Sequence, residues 1–149
     1  MKIGQDQELF SMLYNISKAL RFCQQEEICG EAITFVQFNI MNLIAEKNCM
    51  PMSELHQVLA VDKSTTSRLI EPLVAQGLIM KEKSESDSRA LLLRLTTEGL
   101  VVRDRARDCL SGFMRAVESR IPADRRQEVY QAVQLYTAAL QDACRTCCC

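Results

Sequence analysis

The stretch "DKSTTSRLIEPLVAQGLIMKEKSESDSRALLLRLT", residues 62–96, changes its apolar period halfway along. Up to Gly77, Leu69, Ile70, Leu73 and Val74 recur at helical spacing, with Asp62 placed to cap the helix and Gly77 to end it. From Leu78 the pattern becomes strand, polar tip, strand. The tip carries Ser, Glu and Asp but no Asn-Gly pair, which predicts a loose loop rather than a tight hairpin. One short helix ahead of this unit would complete a winged helix-turn-helix. Residues 52–60, "MSELHQVLA", supply it: Ser53 is placed to cap, and Leu55, Val58 and Leu59 to face inward. His56 falls on the exposed side, and Ala60 and Val61 make the tight turn.

The flanks are helical as well. Thr34 and Gln37 form a T-x-x-Q capping box for a helix with Phe38, Met41, Ile44 and Ala45 inside, which ends before Pro51. Upstream, Leu9, Leu13, Ile16, Leu20 and Cys23 stripe a helix from about Gln7 to Gln25. Downstream, Thr96 caps a long helix with Val102, Ala106, Cys109, Phe113 and Val117 on one face, ended by Pro122. A last helix opens at Asp124 and carries Val129, Val133, Tyr136, Leu140 and Cys144. The expected fold class is mainly α, with a two-stranded wing.

Composition agrees. With 149 residues, 48% hydrophobic and 25% charged, the chain is long enough for one domain with a real core. The amino terminus has no apolar run, and no stretch approaches a membrane span, so a cytoplasmic location is expected. Thiols stay reduced there, so the eight cysteines are not expected to form a disulfide framework. Net charge is −1, so any positive surface must be local. No Ser/His/Asp set, phosphate loop or paired catalytic carboxylates occur in a convincing context, and an enzyme is not expected.

The chemistry of the middle segment suits duplex DNA. The major groove admits one helix, amino-terminal turns foremost, which favours short polar side chains and a base-reading cation there. Ser64, Thr65, Thr66 and Ser67 are placed for phosphates or base edges, Arg68 for a guanine and Lys63 for a phosphate. At the wing tip, Arg89 suits a narrow minor groove and Asp87 would hold its guanidinium by a forked ion pair. From Asp62 to Arg94 there are six cations (Lys63, Arg68, Lys81, Lys83, Arg89, Arg94) and five acids (Asp62, Glu71, Glu82, Glu85, Asp87), a balance of only +1. Binding should therefore lean on specific contacts more than on bulk attraction. Pro72 lies inside the reading helix, where a kink would re-aim its first turns.

The segment from about Phe35 to Gly99 resembles the MarR family of bacterial transcription regulators. The residues that carry the resemblance are "SELHQVLAVDKSTTSRLIEPLVAQGLI", the wing "DSRALLLRLT" and the following "TEGL". Ser88 and Leu91 depart from it, standing where the family commonly has Arg and Lys. The resemblance implies a homodimer in which the first, fifth and sixth helices interlock. Residues 1–33 and 97–149 would form the helical dimerisation region and residues 34–96 the DNA-binding lobe. Two lobes would bind a pseudo-palindromic operator, with residues 64–68 in the major groove and Arg89 in the minor groove. The function implied is a dimeric regulator of transcription, a repressor, released from DNA by an effector. A winged-helix protein-interaction module without DNA is the rival from another class, supported by the weak local charge.

The tail "CRTCCC", residues 144–149, raises the question of the effector. Cys23, Cys109 and Cys144 fall on apolar stripes, where cysteine can serve as a small hydrophobe. Packing does not account for Cys147, Cys148 and Cys149, since exposed thiols are a liability. Two thiol readings stand. Cys144 and Cys147, with Cys109 or Cys23, would bind a soft metal or metalloid ion through thiolates. Alternatively, the thiols sense oxidants, as the resemblance suggests. A pocket for a small aromatic ligand, between dimer region and lobe, is the other effector reading the resemblance implies.

Overall fold

The computed structural model describes residues 3–20, 27–84 and 90–147. In chain order the elements are α1 (Ile3–Ala19), α2 (Phe35–Lys47), β1 (Met50–Pro51), α3 (Met52–Leu59), α4 (Lys63–Ala75), β2 (Ile79–Lys83), β3 (Leu91–Leu95), α5 (Thr97–Glu118) and α6 (Arg126–Cys147). A 3-10 turn at Ala123–Arg125 leads into α6. The six helices and the hairpin follow the expected order. The residues cluster into two compact units, Met1–Asp108 and Cys109–Cys149.

The first unit holds the core. The capping box at the start of α2 forms: Gln37 N–H donates to Thr34 Oγ1 at 3.2 Å, and Thr34 N–H donates to Gln37 Oε1 at 2.9 Å. Two orphan donors of the helix end are thereby satisfied. Phe38, Ile40, Met41 and Ile44 of α2 are buried together with Leu55 of α3, Ile70 and Leu73 of α4, and Val102 and Ala106 of α5. Burying each large aliphatic side chain is worth about 1.5–3 kcal/mol.

The sheet has three strands in the order β1-β3-β2, all antiparallel. β2 and β3 make the wing, in register from Ile79 opposite Leu95 to Lys83 opposite Leu91. The third strand, Met50 opposite Leu93 and Pro51 opposite Leu92, was not foreseen. It is two residues long and carries a proline, so no period is visible in it; Pro51 is tolerated because the strand is an edge. Leu93, central in the sheet, is fully buried.

The joints differ in detail from expectation. Ser53 does not cap α3. The helix begins a residue earlier, at Met52, and Pro51 stands at the cap position without a side-chain bond. Val58 is exposed rather than inward-facing. Ala60 closes α3 in the left-handed region at φ 50°, its N–H donating to the His56 carbonyl. Asp62 caps α4 as expected. At the other end of α4, Gly77 N–H donates to Val74 O and Leu78 N–H to Leu73 O, the paired bonds of a Schellman motif. Gly77, at φ +71°, supplies the left-handed residue. α4 runs uninterrupted through Pro72.

Thr96 caps α5 through its hydroxyl, which accepts from Gly99 N–H at 2.9 Å and donates to Gly77 O at 2.6 Å. Before α2, Ile28 and Glu31 exchange two backbone bonds around Cys29 and Gly30, both at positive φ. This tight turn falls where the helical pattern breaks.

In the second unit, no residue from 126 to 146 of α6 is buried; Val133, Leu135, Tyr136 and Leu140 are exposed. Asp124 does not cap α6 but sits inside the 3-10 turn. Among the described residues no helix is long and apolar enough to cross a membrane.

Candidate nucleic-acid interface

The site is built at the start of α4. The Asp62 carboxylate accepts from Thr65 N–H at 2.8 Å, from the Ser64 hydroxyl at 2.5 Å and from the Thr65 hydroxyl at 2.7 Å. These bonds, the Ser64 hydroxyl's foremost, hold its pKa well below the ordinary 3.8, so the cap is ionised at neutral pH. A carboxylate at a helix amino terminus also meets the positive end of the helix dipole. Ser64 and Thr65 therefore spend their hydroxyl protons on the cap and present only oxygen lone pairs outward. Ser67 is half-buried, and Lys63 and Arg68 are exposed.

Thr66 has to be withdrawn from the outward-facing set. It is 0% exposed, and its hydroxyl points back into the lobe, 2.7 Å from His56 Nδ1 and 3.4 Å from the Asp62 carbonyl oxygen. One face of even a polar first turn must pack on the scaffold, and at 100° per residue Thr66 falls on the same side as Ile70 and Leu73. His56 is corrected with it: the side chain is half-buried and bonded, not a free surface group. The T-T pair hid the difference between its members.

Charge pairing sorts the lobe's cations. Lys47 pairs with Glu54, Lys81 with Glu71, and Arg94 with Glu82 at 3.0 Å. Lys63, Arg68 and Lys83 make no ion pair among the described residues and remain available to an anion. Lys63 and Arg68 were singled out from sequence. Lys83, the last residue of β2, has no sequence signature of its own; only the pairing of Lys81 and Arg94 sets it apart. Asp87 and Arg89 at the wing tip lie outside the described residues.

The cysteines divide differently from expectation. Cys29 is in a disulfide and so is Cys109, which takes Cys109 out of the thiolate ligand set in this state. Cys144 is free and exposed; Cys49 is free and half-buried. Cys147 closes α6. Cys23, Cys148 and Cys149 lie outside the described residues. Among the described residues no group of three His, Cys, Asp or Glu side chains is placed to hold a metal ion.

One groove of about 510 Å³ opens between α2 and α5, lined by Asn39, Asn42, Leu43, Glu46, Arg103 and Arg107. Arg103 donates to Asp104 Oδ1 at 2.6 Å, which lowers that carboxyl's pKa.

Residues 33–91 match the model of the MarR family. The organic hydroperoxide resistance transcriptional regulator of Bacillus subtilis (strain 168) is 25% identical over 103 residues, covering 69% of this chain and 70% of that protein. The multiple antibiotic resistance protein MarR of Escherichia coli (strain K12) is 33% identical over 70 residues, 47% of this chain and 49% of that protein. The matched stretches thus span between about half and 70% of these relatives' own length. Among solved structures, a mutant MarR from E. coli complexed with operator DNA superposes with a TM-score of 0.74 at 20% identity, covering 91% of this chain and 99% of that one. FabT from Streptococcus pneumoniae in complex with DNA gives 0.73 at 15% identity, covering 95% and 99%. At these identities the structural likeness is one of fold.

Proposed function

We propose that this chain, whose residues 33–91 match the MarR family, is a winged-helix regulator of that kind, which acts as a homodimer on a pseudo-palindromic operator, represses transcription there and lets go when its cysteine thiols are oxidised. The observation that carries DNA binding is the sorting of charge on the lobe. Three cations are neutralised by partners, while Lys63 and Arg68 on α4 and Lys83 at the base of the wing are left open. A major-groove helix needs open cations on its first turns, flanked by phosphate contacts. Two further supports are the superposed E. coli MarR and S. pneumoniae FabT structures, both of which are complexes with DNA.

Dimerisation is supported by uncovered apolar surface. Phe10, Met12, Tyr14 and Ile16 of α1, Met114 of α5, and Val133 and Leu135 of α6 are exposed in the single chain. Large apolar side chains left uncovered in this way are what a partner helix would bury. A dimer would set two α4 helices about one DNA turn apart, ~34 Å.

The thiol reading favours oxidation over a metal. Cys29 is in a disulfide and so is Cys109, which removes Cys109 from a thiolate set, while Cys144 is a free exposed thiol. In the step we propose, a thiolate attacks a hydroperoxide, giving a sulfenic acid and an alcohol. A second thiol then displaces water to close a disulfide. A second reading, a small-molecule effector, is supported by the α2–α5 groove, whose size suits such a ligand.

Two experiments test these readings. Band-shift titration against duplexes from the chain's own upstream region, at several salt concentrations, should show sequence-preferring binding that weakens with salt. Absence of sequence preference at every salt concentration would favour the protein-interaction module instead. Removing residues 144–149 should abolish release by hydroperoxides and thiophilic reagents while leaving DNA binding in place. Release that persists after truncation takes the tail out of the mechanism.

A further inference from the structure

His56 and Thr66 stand on the two helices of the helix-turn-helix and meet behind the DNA-facing surface. The imidazole Nδ1 lies 2.7 Å from the Thr66 hydroxyl, which lies 3.4 Å from the Asp62 carbonyl oxygen. That same carbonyl accepts Thr66 N–H at 3.1 Å, and the Asp62 side chain holds Ser64 and Thr65. One orientation uses every contact: His56 Nδ1–H donates to Thr66 Oγ1, whose own proton goes to Asp62 O, as helical threonines commonly donate one turn back. The imidazole is thus joined through a buried hydroxyl to the residue that organises the whole first turn of α4. Thr66 is fully buried, so its hydroxyl needs these partners or loses hydrogen bonding altogether.

We propose that His56 is a positioning residue for operator recognition. It touches no DNA, but through Thr66 it fixes the first turn of α4, and so the aim of Lys63, Ser67 and Arg68. This rests on the DNA-binding reading above. A fixed first turn matters for base edges, which demand geometry, and little for phosphate attraction, which tolerates movement. His56 should therefore govern discrimination between duplexes rather than bulk affinity.

The test exploits covalent structure. His56→Phe keeps a ring for packing but has no δ nitrogen to donate. His56→Asn has no ring but carries an amide N–H on the same γ carbon. We expect His56→Phe to lower the ratio of affinities for a library-selected duplex over a scrambled one by about five- to tenfold, the scale of one net hydrogen bond. His56→Asn should restore most of that ratio, and affinity for the scrambled duplex should stay unchanged in both. In the free protein, amide hydrogen exchange over residues 64–68 should quicken in the Phe variant and not in the Asn variant. His56 is the chain's only histidine, so its imidazole 15N signals are unambiguous, and Thr66→Val should shift the Nδ1 resonance. An Asn variant as impaired as the Phe variant would reduce His56 to packing. An unmoved Nδ1 resonance, or unchanged exchange in the Phe variant, would overturn the relay. Wild-type protein that prefers no duplex would sink the DNA reading instead, while the exchange and 15N measurements still decide the relay.

Discussion

Gly99 sits so close to Leu78 that a Cβ built on it would overlap the Leu78 carbonyl oxygen and lie 2.9 Å from the carbonyl carbon. α5 thereby starts directly against the end of α4, where Thr96 bonds both Gly77 and Leu78. An exposed helical Gly→Ala change normally gains about 0.5–1 kcal/mol. Here the obstacle is backbone, so Gly99→Ala should instead destabilise by about 1–3 kcal/mol. Denaturant unfolding at fixed protein concentration reads the sign; a stabilised variant would disprove the close approach.

Gln37 serves two structures at once. Its Oε1 accepts from Thr34 N–H, and its Nε2 donates to the Leu69 carbonyl at 3.1 Å, tying α2 to α4. Thr34→Ala should cost about 1 kcal/mol, the usual value of a lost cap. Gln37→Leu should cost about 1–3 kcal/mol, because a partly buried carbonyl and an amide lose partners together. The double variant should cost less than the sum, since both residues belong to one box; strict additivity in urea unfolding would deny the coupling.

Asp62 gives a pH signature with a definite sign. Its pKa is lowered on folding, so its contribution to stability is fully present above the unfolded value of 3.8. It fades as pH falls below that value towards the folded pKa. Between pH 5 and 8 the cap should be insensitive to pH. Asp62→Asn should be mild, since Asn caps as well as Asp, whereas Asp62→Ala should weaken both the first turn of α4 and sequence-preferring DNA binding. Thermal melts and anisotropy across pH 3–8 check both statements.

Arg68 and Lys63 should fail differently. Arg68→Ala should cost about 1–3 kcal/mol on the selected duplex and relax preference at one base position. Lys63→Ala and Lys83→Ala should weaken all duplexes alike and reduce the salt slope by about 1 each. Fluorescence anisotropy over a salt series separates them; an unchanged slope in either lysine variant removes that residue from the phosphate contacts.

What the chain declares on its own is whatever local chemistry enforces. The T-x-x-Q box, the Asp62 cap, the Gly77 stop and the switch from helical to alternating period are each written within a few neighbouring residues, and each stands in the structure where it was expected. The same holds for Lys63 and Arg68, whose exposure follows from the polar first turn. Tertiary structure decided what depends on partners distant in sequence. Thr65 and Thr66 are the same residue type side by side, yet one caps towards solvent and the other is sealed against His56, ten positions away, because helix α4 must turn one face to the core. Lys81 and Lys83 differ for the same reason: Glu71 reaches one and no described acid reaches the other. Composition counts such residues equally; only packing, by choosing which polar groups satisfy each other, tells them apart.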